Sequence, residues 1–90
     1  MILFLYSVRD SLVDFGQPFC AVSDAVAVRS FCRLASDPRS DIFGSPDDYN
    51  LCRLGEYHTD TGQIISESPR LIYRGRQAVL ADVKGDDSVV

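Results

Sequence analysis

The chain is poor in the residues that catalysis and metal binding draw on. Its 90 residues hold one His, one Lys, one Met and no Trp. The three Cys residues, Cys20, Cys32 and Cys52, are odd in number and far apart in sequence, which argues against a disulfide framework. With one His and no C-x-x-C pair, the chain also lacks a zinc-ligand pattern. The three thiols therefore read as small buried hydrophobes in a reducing cytosol. There is no P-loop, no GxGxxG, no serine elbow and no carboxylate pair framed by apolar walls. A Cys nucleophile would need a His base, and the single His58 falls in a turn-like stretch. The residues thus point to no catalytic centre, no metal and no cofactor, and we expect a protein that is not an enzyme.

Long hydrophobic runs are also missing. The opening ILFLYSV is too short to span a membrane, which takes roughly 20 apolar residues. No basic residue precedes it and no small-residue cleavage pattern follows, so it does not read as a signal peptide. The initial Met with no tag-like prefix leads us to expect a complete small gene product, acting in the cytoplasm with no membrane partner.

What is present is ordinary globular material. The composition is 46% hydrophobic and 24% charged, close to an average single domain. A chain this short buries only about 60% of its unfolded surface, so its stability margin is thin. The net charge is −4, and such a field repels phosphates at long range. Of the nine basic residues, only Lys84 is not Arg. Arg makes bidentate contacts and stacks on flat rings, so a local basic face on an acidic protein remains open.

Along the chain, residues 2–8 form a continuous apolar run and read as a strand buried on both faces, central in a small sheet or covered by a partner. Residues 9–18 turn away, with Gly16 and Pro18 as loop chemistry. Phe19 to Val22 is a brief strand or a plug into the core. Ser23 is a good N-cap and Asp24 suits a helix first turn. Val28, Phe31, Cys32 and Ala35, joined by Ala25, then share one face of a helix over about residues 24–36. Pro38 ends it. Residues 37–48 are a long polar connection anchored by Ile42 and Phe43, with Asp47-Asp48 capping a short turn.

The stretch DDYNLCRLGEY followed by HTDTG gathers acids, an Arg and the only His. Alternation through Tyr49–Tyr57, turn chemistry at residues 59–62 and a return strand from Gln63 to Glu67 make it a β-hairpin over about residues 49–66. Glu56, His58 and Asp60 are then rim charges. From Ser68-Pro69 the pattern weakens. Gln77 to Val83 reads as a strand or a short helical turn, and residues 84–90 as a frayed tail.

One constellation suggests a partner. The run RLIYRGR sets Arg70, Arg74 and Arg76 around Tyr73. Single-strand binders pair Arg on the backbone with aromatics that stack on bases. The same run also fits a solvated strand edge, and the two readings stand open. Arg29 and Arg33, four apart on the helix, either extend this patch or form a solvated face.

A resemblance supplies a setting. Pro18-Phe19, Asp24, Ala27, Arg29, Phe31, Asp37-Pro38, Ser40, Ile42, Pro46, Asp48-Tyr49, Leu51, Leu54-Gly55-Glu56 and Gly62 follow an order and spacing similar to the small nonstructural proteins of gokushoviruses, single-stranded-DNA bacteriophages of the Microviridae. The resemblance covers about residues 1–66, and the tail from Pro69 lies outside it. It implies a nonstructural, DNA-associated phage protein that assists genome replication, through the switch to single-strand synthesis or packaging. It carries over no catalytic residue.

The expectation is a small α+β domain over residues 1–83 with one strand, one helix and a hairpin. Its sheet would be completed by a symmetric dimer, because an apolar first strand left on an open edge invites pairing. Ile2, Phe4, Leu5, Leu51, Leu54 and Ile64 are the expected strand contributions to the core. The leading partner is single-stranded DNA, met by Arg70, Tyr73, Arg74 and Arg76, then by Arg29 and Arg33. The rival is a dimeric adaptor that binds a phage or host replication protein without touching DNA. The setting is the cytoplasm of the bacterial host cell.

Overall fold

A computed structural model describes residues 1–78. The expected strand or turn beyond residue 78, the tail at 84–90 and Lys84 lie outside the described residues.

The chain is α+β. It forms strands β1 (Ile2–Asp10) and β2 (Phe19–Ala21), helices α1 (Asp24–Ser36) and α2 (Asp41–Gly44), then strands β3 (Tyr49–His58) and β4 (Gln63–Arg74). The strands make one antiparallel sheet in the order β2-β1-β3-β4. β1 is therefore interior, flanked by β2 and β3, which accounts for its unbroken apolar sequence. The open edge that called for a second copy does not exist at β1, and the sheet forms within one chain.

Helix α1 has the bounds its end signals suggest. The Ser23 side chain accepts a hydrogen bond from the Val26 amide at 3.2 Å, Asp24 occupies the first turn, and Asp37 at the C-cap is extended, as a residue before proline must be. Its buried residues are Ala27, Phe31 and Ala35. This corrects the expected face by a small rotation: Val28 and Cys32 flank the core half-buried, and Ala25 is exposed. Two alanines let the helix lie close to the sheet around the single large Phe31.

The core sits between α1 and one sheet face, where Tyr6, Phe31 and Leu51 are fully enclosed with Ala21, Ala27, Ala35, Ile42 and Ala78. Among the strand residues expected there, Leu51 is buried and Phe4 packs against the cluster. Leu5 and Leu54 are only half-buried, and Ile2 and Ile64 are exposed. Leu5 alternates onto the other face. Leu54 falls at the irregularity where Leu5 pairs with Gly55 but Tyr6 pairs with Arg53. Ile2 and Ile64 lie at the outer end of the sheet. The connection after α1 folds into α2, capped by Ser40, and a 3-10 turn at Pro46–Asp48. It buries Ile42 while Phe43 is exposed, so only one of the two expected anchors serves. Cys20 is exposed on β2, whereas Cys52 is buried.

The hairpin turns where expected. The Gly62 amide donates to the His58 carbonyl at 2.8 Å, and Gly62 takes φ +77°, a conformation open mainly to glycine. The second strand is longer than expected, running through Pro69 to Arg74. β4 is an edge strand, and Pro69 falls at a register irregularity opposite Leu54, which is where a strand tolerates proline. At Gly55 a side chain would run into the Ile65 backbone carbonyl, so glycine lets β4 approach β3.

Candidate nucleic-acid interface

The residues of RLIYRGR do not form one patch. Strand alternation and two irregularities in the β3–β4 ladder send them in different directions. Arg70, opposite Arg53, reaches toward the start of α1, where its Nη2 lies 3.8 Å from Asp24 Oδ2. Tyr73, opposite Leu51, is half-buried and packs against the core, so its ring face is not free for a base. Arg74, opposite Asn50, is exposed on the other side of the sheet. Arg76 lies in residues 75–78, which are helical. It binds Asp47 through two hydrogen bonds, Nε–Oδ1 at 2.9 Å and Nη2–Oδ2 at 2.6 Å. The Arg76 guanidinium holds the Asp47 carboxyl below the usual range, chiefly by this hydrogen bonding. Arg74 and Arg76 line a shallow cleft of about 440 Å³ with Asp47 and Asn50.

Around Asp24 the structure assembles a network that the sequence did not disclose. The Tyr6 hydroxyl donates to Asp24 Oδ1 at 2.5 Å. Arg53 Nη1 lies 3.5 Å from the same oxygen. Arg53 Nε donates to Glu67 Oε1 at 3.3 Å, and its guanidinium stacks 3.9 Å over the Phe4 ring. Burial raises the Tyr6 phenol well above its ordinary range, and the Asp24 carboxylate adds to the shift. Arg53 and Glu67 went unnoticed because they are 14 residues apart in sequence and meet only once the strands pair.

Arg29 and Arg33 are exposed on the side of α1 away from the sheet. They have no ion-pair or hydrogen-bond partner among the described residues. Between Ala25 and Ser36 the helix carries no carboxylate. Arg70, 59% exposed along its side chain, lies toward the N-terminal end of this surface and Arg39, bound to Asp37, follows its C-terminal end. Carboxylates gather elsewhere, where Asp10, Asp41 and Asp48 surround Tyr49 and, after its partial burial, push the phenol up.

His58 Nε2 lies 3.1 Å from Glu56 Oε2 at the outer end of the hairpin. Among the described residues, no three His, Cys, Asp or Glu side chains converge as metal ligands, and no helix is long and apolar enough to cross a membrane.

The sequence model of a family described as Phage ORF5 protein matches residues 3–78. The match runs past residue 66, the limit of the gokushovirus resemblance, and takes in Arg70, Tyr73, Arg74 and Arg76. No curated protein and no solved structure matches the chain.

Proposed function

This chain belongs to the Phage ORF5 protein family, and from that premise we propose that it is a non-catalytic, DNA-binding phage accessory protein. In this reading it assists single-stranded-DNA genome replication or packaging in a gokushovirus of the Microviridae, in the cytoplasm of the bacterial host, and engages single-stranded DNA through Arg29 and Arg33 of α1.

The observation that carries the reading is the Arg29–Arg33 pair, which has no partner among the described residues and lies on a helix that carries no carboxylate after Asp24, in an acidic protein. Side chains four apart on a helix begin about 5–6 Å from one another, so both can meet phosphates of one strand. Arg70 reaches the same surface if a phosphate displaces its long contact to Asp24. Arg76 is satisfied by Asp47 and Tyr73 is packed, so both contribute less. Two to three phosphates neutralised on a single strand correspond to a salt slope of about −1.4 to −2.1. The test is binding of a labelled single-stranded oligonucleotide against salt concentration. A flat salt response would overturn the reading.

A second reading, an adaptor for a phage or host replication protein, draws on the turn after β1. Leu12 and Val13 are 78% and 74% exposed, on a turn fixed by the Leu12 amide to Asp10 Oδ1 at 2.9 Å and by the Asp10 amide to the Asp14 carbonyl at 2.9 Å. Two aliphatic side chains held outward this way suit a protein surface. Under the adaptor reading, Leu12→Ser with Val13→Ser abolishes function while Arg29→Ala with Arg33→Ala does not.

A further inference from the structure

We propose that the sheet face turned away from α1 is a homodimer interface, on which a second copy of the chain packs its own equivalent face. This goes beyond the DNA-binding reading and does not depend on it.

Alternation divides the first strand. Phe4, Tyr6 and Val8 point to α1 and its core, and Leu3 and Leu5 point away. Pairing extends the outward set across all four strands. Leu3 is opposite Tyr57, which is opposite Ile64, and Leu5 lies between Cys20 and Gly55. Ser7 is opposite Cys52, which is opposite Leu71. Ile64 and Leu71 are 61% and 46% exposed. The charged residues in register with this set are Arg9 and Arg74, both at one end, and no strand carboxylate is among them.

An antiparallel sheet with one face on a core ordinarily presents polar residues on the other. Here the second face is apolar too, and among the described residues only the helical residues 75–78 and the Pro46–Asp48 turn border it, at its Leu71–Arg74 end. The loop after β1 covers Ser7 and Arg9, where Ser7 Oγ donates to the Gly16 carbonyl at 2.8 Å and Phe15 bridges to Arg9 with its ring under the guanidinium.

A second copy fits this face for three reasons. Sheets pack face to face about 10 Å apart through two apolar surfaces, and this surface is itself one. Three long strands and a short one span roughly 500 Å², so two copies bury on the order of 1,000 Å², where specific interfaces begin. Homodimer interfaces are also the more apolar class, and the one carboxylate that borders this face among the described residues, Asp47 beside Leu71 and Arg74, is already held by Arg76. A twofold axis running across the strands sets Arg9 and Arg74 of one copy at the opposite end from those of its mate. The core on the α1 side is built largely on alanines, so a second apolar layer supplies stability that a 90-residue chain has little of.

The test is sedimentation equilibrium of the whole chain over a range of concentrations, with Ile64→Lys and Leu71→Lys as variants and Ile65→Lys as control. Ile64 and Leu71 are already exposed in the single chain, so circular dichroism should be unchanged. Ile65 is 42% exposed but lies opposite Glu56 on the other face. We expect the wild type to approach twice the 10.0 kDa chain mass. Each face variant should dissociate more weakly held dimers, with Kd raised on the order of a hundredfold, and Ile65→Lys should leave Kd unchanged. The exposed Cys20 thiol should react more slowly as the dimer forms. A wild type of single-chain mass at every concentration overturns the proposal, as does a dimer that Ile65→Lys disrupts and the face variants do not.

Discussion

Asp24, the first residue of α1, accepts a hydrogen bond of 2.5 Å from the hydroxyl of Tyr6, the most enclosed aromatic of the sheet. The contact ties the helix start to the sheet centre and holds Arg53 and Arg70 at the same carboxylate. Tyr6→Phe removes it without leaving a cavity. Hydrogen bonds to charged groups contribute about 1.5–3 kcal/mol. The lower end is expected here because Asp24 is partly exposed and keeps its Arg partners. Urea unfolding of the two proteins checks the difference.

The same phenol sets a pH dependence. Its folded pKa lies above the ordinary value near 10. Above pH 10 the unfolded chain releases the proton while the folded chain keeps it, so stability is full below that pH and falls as pH rises. Tyr49 shifts in the same direction, so Tyr6→Phe should flatten the alkaline decline without abolishing it. Unfolding free energies measured from neutral pH into the alkaline range test this. An equal decline in both proteins would contradict it.

Gly55 and Gly75 carry steric predictions. A side chain at Gly55 meets the Ile65 carbonyl, and one at Gly75 meets the Pro46 and Tyr49 carbonyls. Gly55→Ala and Gly75→Ala should each destabilise the fold by about 1–3 kcal/mol, the usual cost of forced backbone shifts. Gly44 in α2 has nothing within 4 Å of an added Cβ. Gly44→Ala should therefore be neutral or stabilising by up to about 1 kcal/mol. Thermal melts of the three variants separate these outcomes.

Phe31 is the one large side chain that α1 buries, at 2% exposure. Phe31→Ala should cost about 3–5 kcal/mol, a large share of the stability of a domain this small. Loss of the cooperative melt is the expected readout.

Much of the fold was legible because local rules agreed. Ser23, Asp24 and Pro38 fixed both ends of α1, and the 59–62 turn fixed the hairpin. The continuous apolar run of β1 correctly implied a central strand, but not one buried on both faces, since Leu3 and Leu5 are only half-buried. Its neighbours were not legible, since β2 is three residues long and offers no period to read. β4 was cut short because Pro69 looks like a terminator, and only its edge location makes it harmless. The residues of the RLIYRGR run are spread apart for a related reason. Its residues are consecutive, yet alternation, a ladder irregularity and the helical residues 75–78 separate them, and Asp24 and Asp47 come from distant parts of the chain. Arg29 and Arg33 were visible from helical spacing alone, but that they lack partners among the described residues depends on how the strands and helices pack.

The most direct test is fluorescence anisotropy of a labelled single-stranded oligonucleotide at several salt concentrations, with a duplex in parallel, for the wild type and for Arg29→Ala with Arg33→Ala. The account predicts binding at low salt that favours the single strand, and a log–log salt slope of about −1.4 to −2.1. The double variant should lose most of that slope, while Arg76→Ala changes it little. No binding at low salt, or wild-type binding by the double variant, would contradict it.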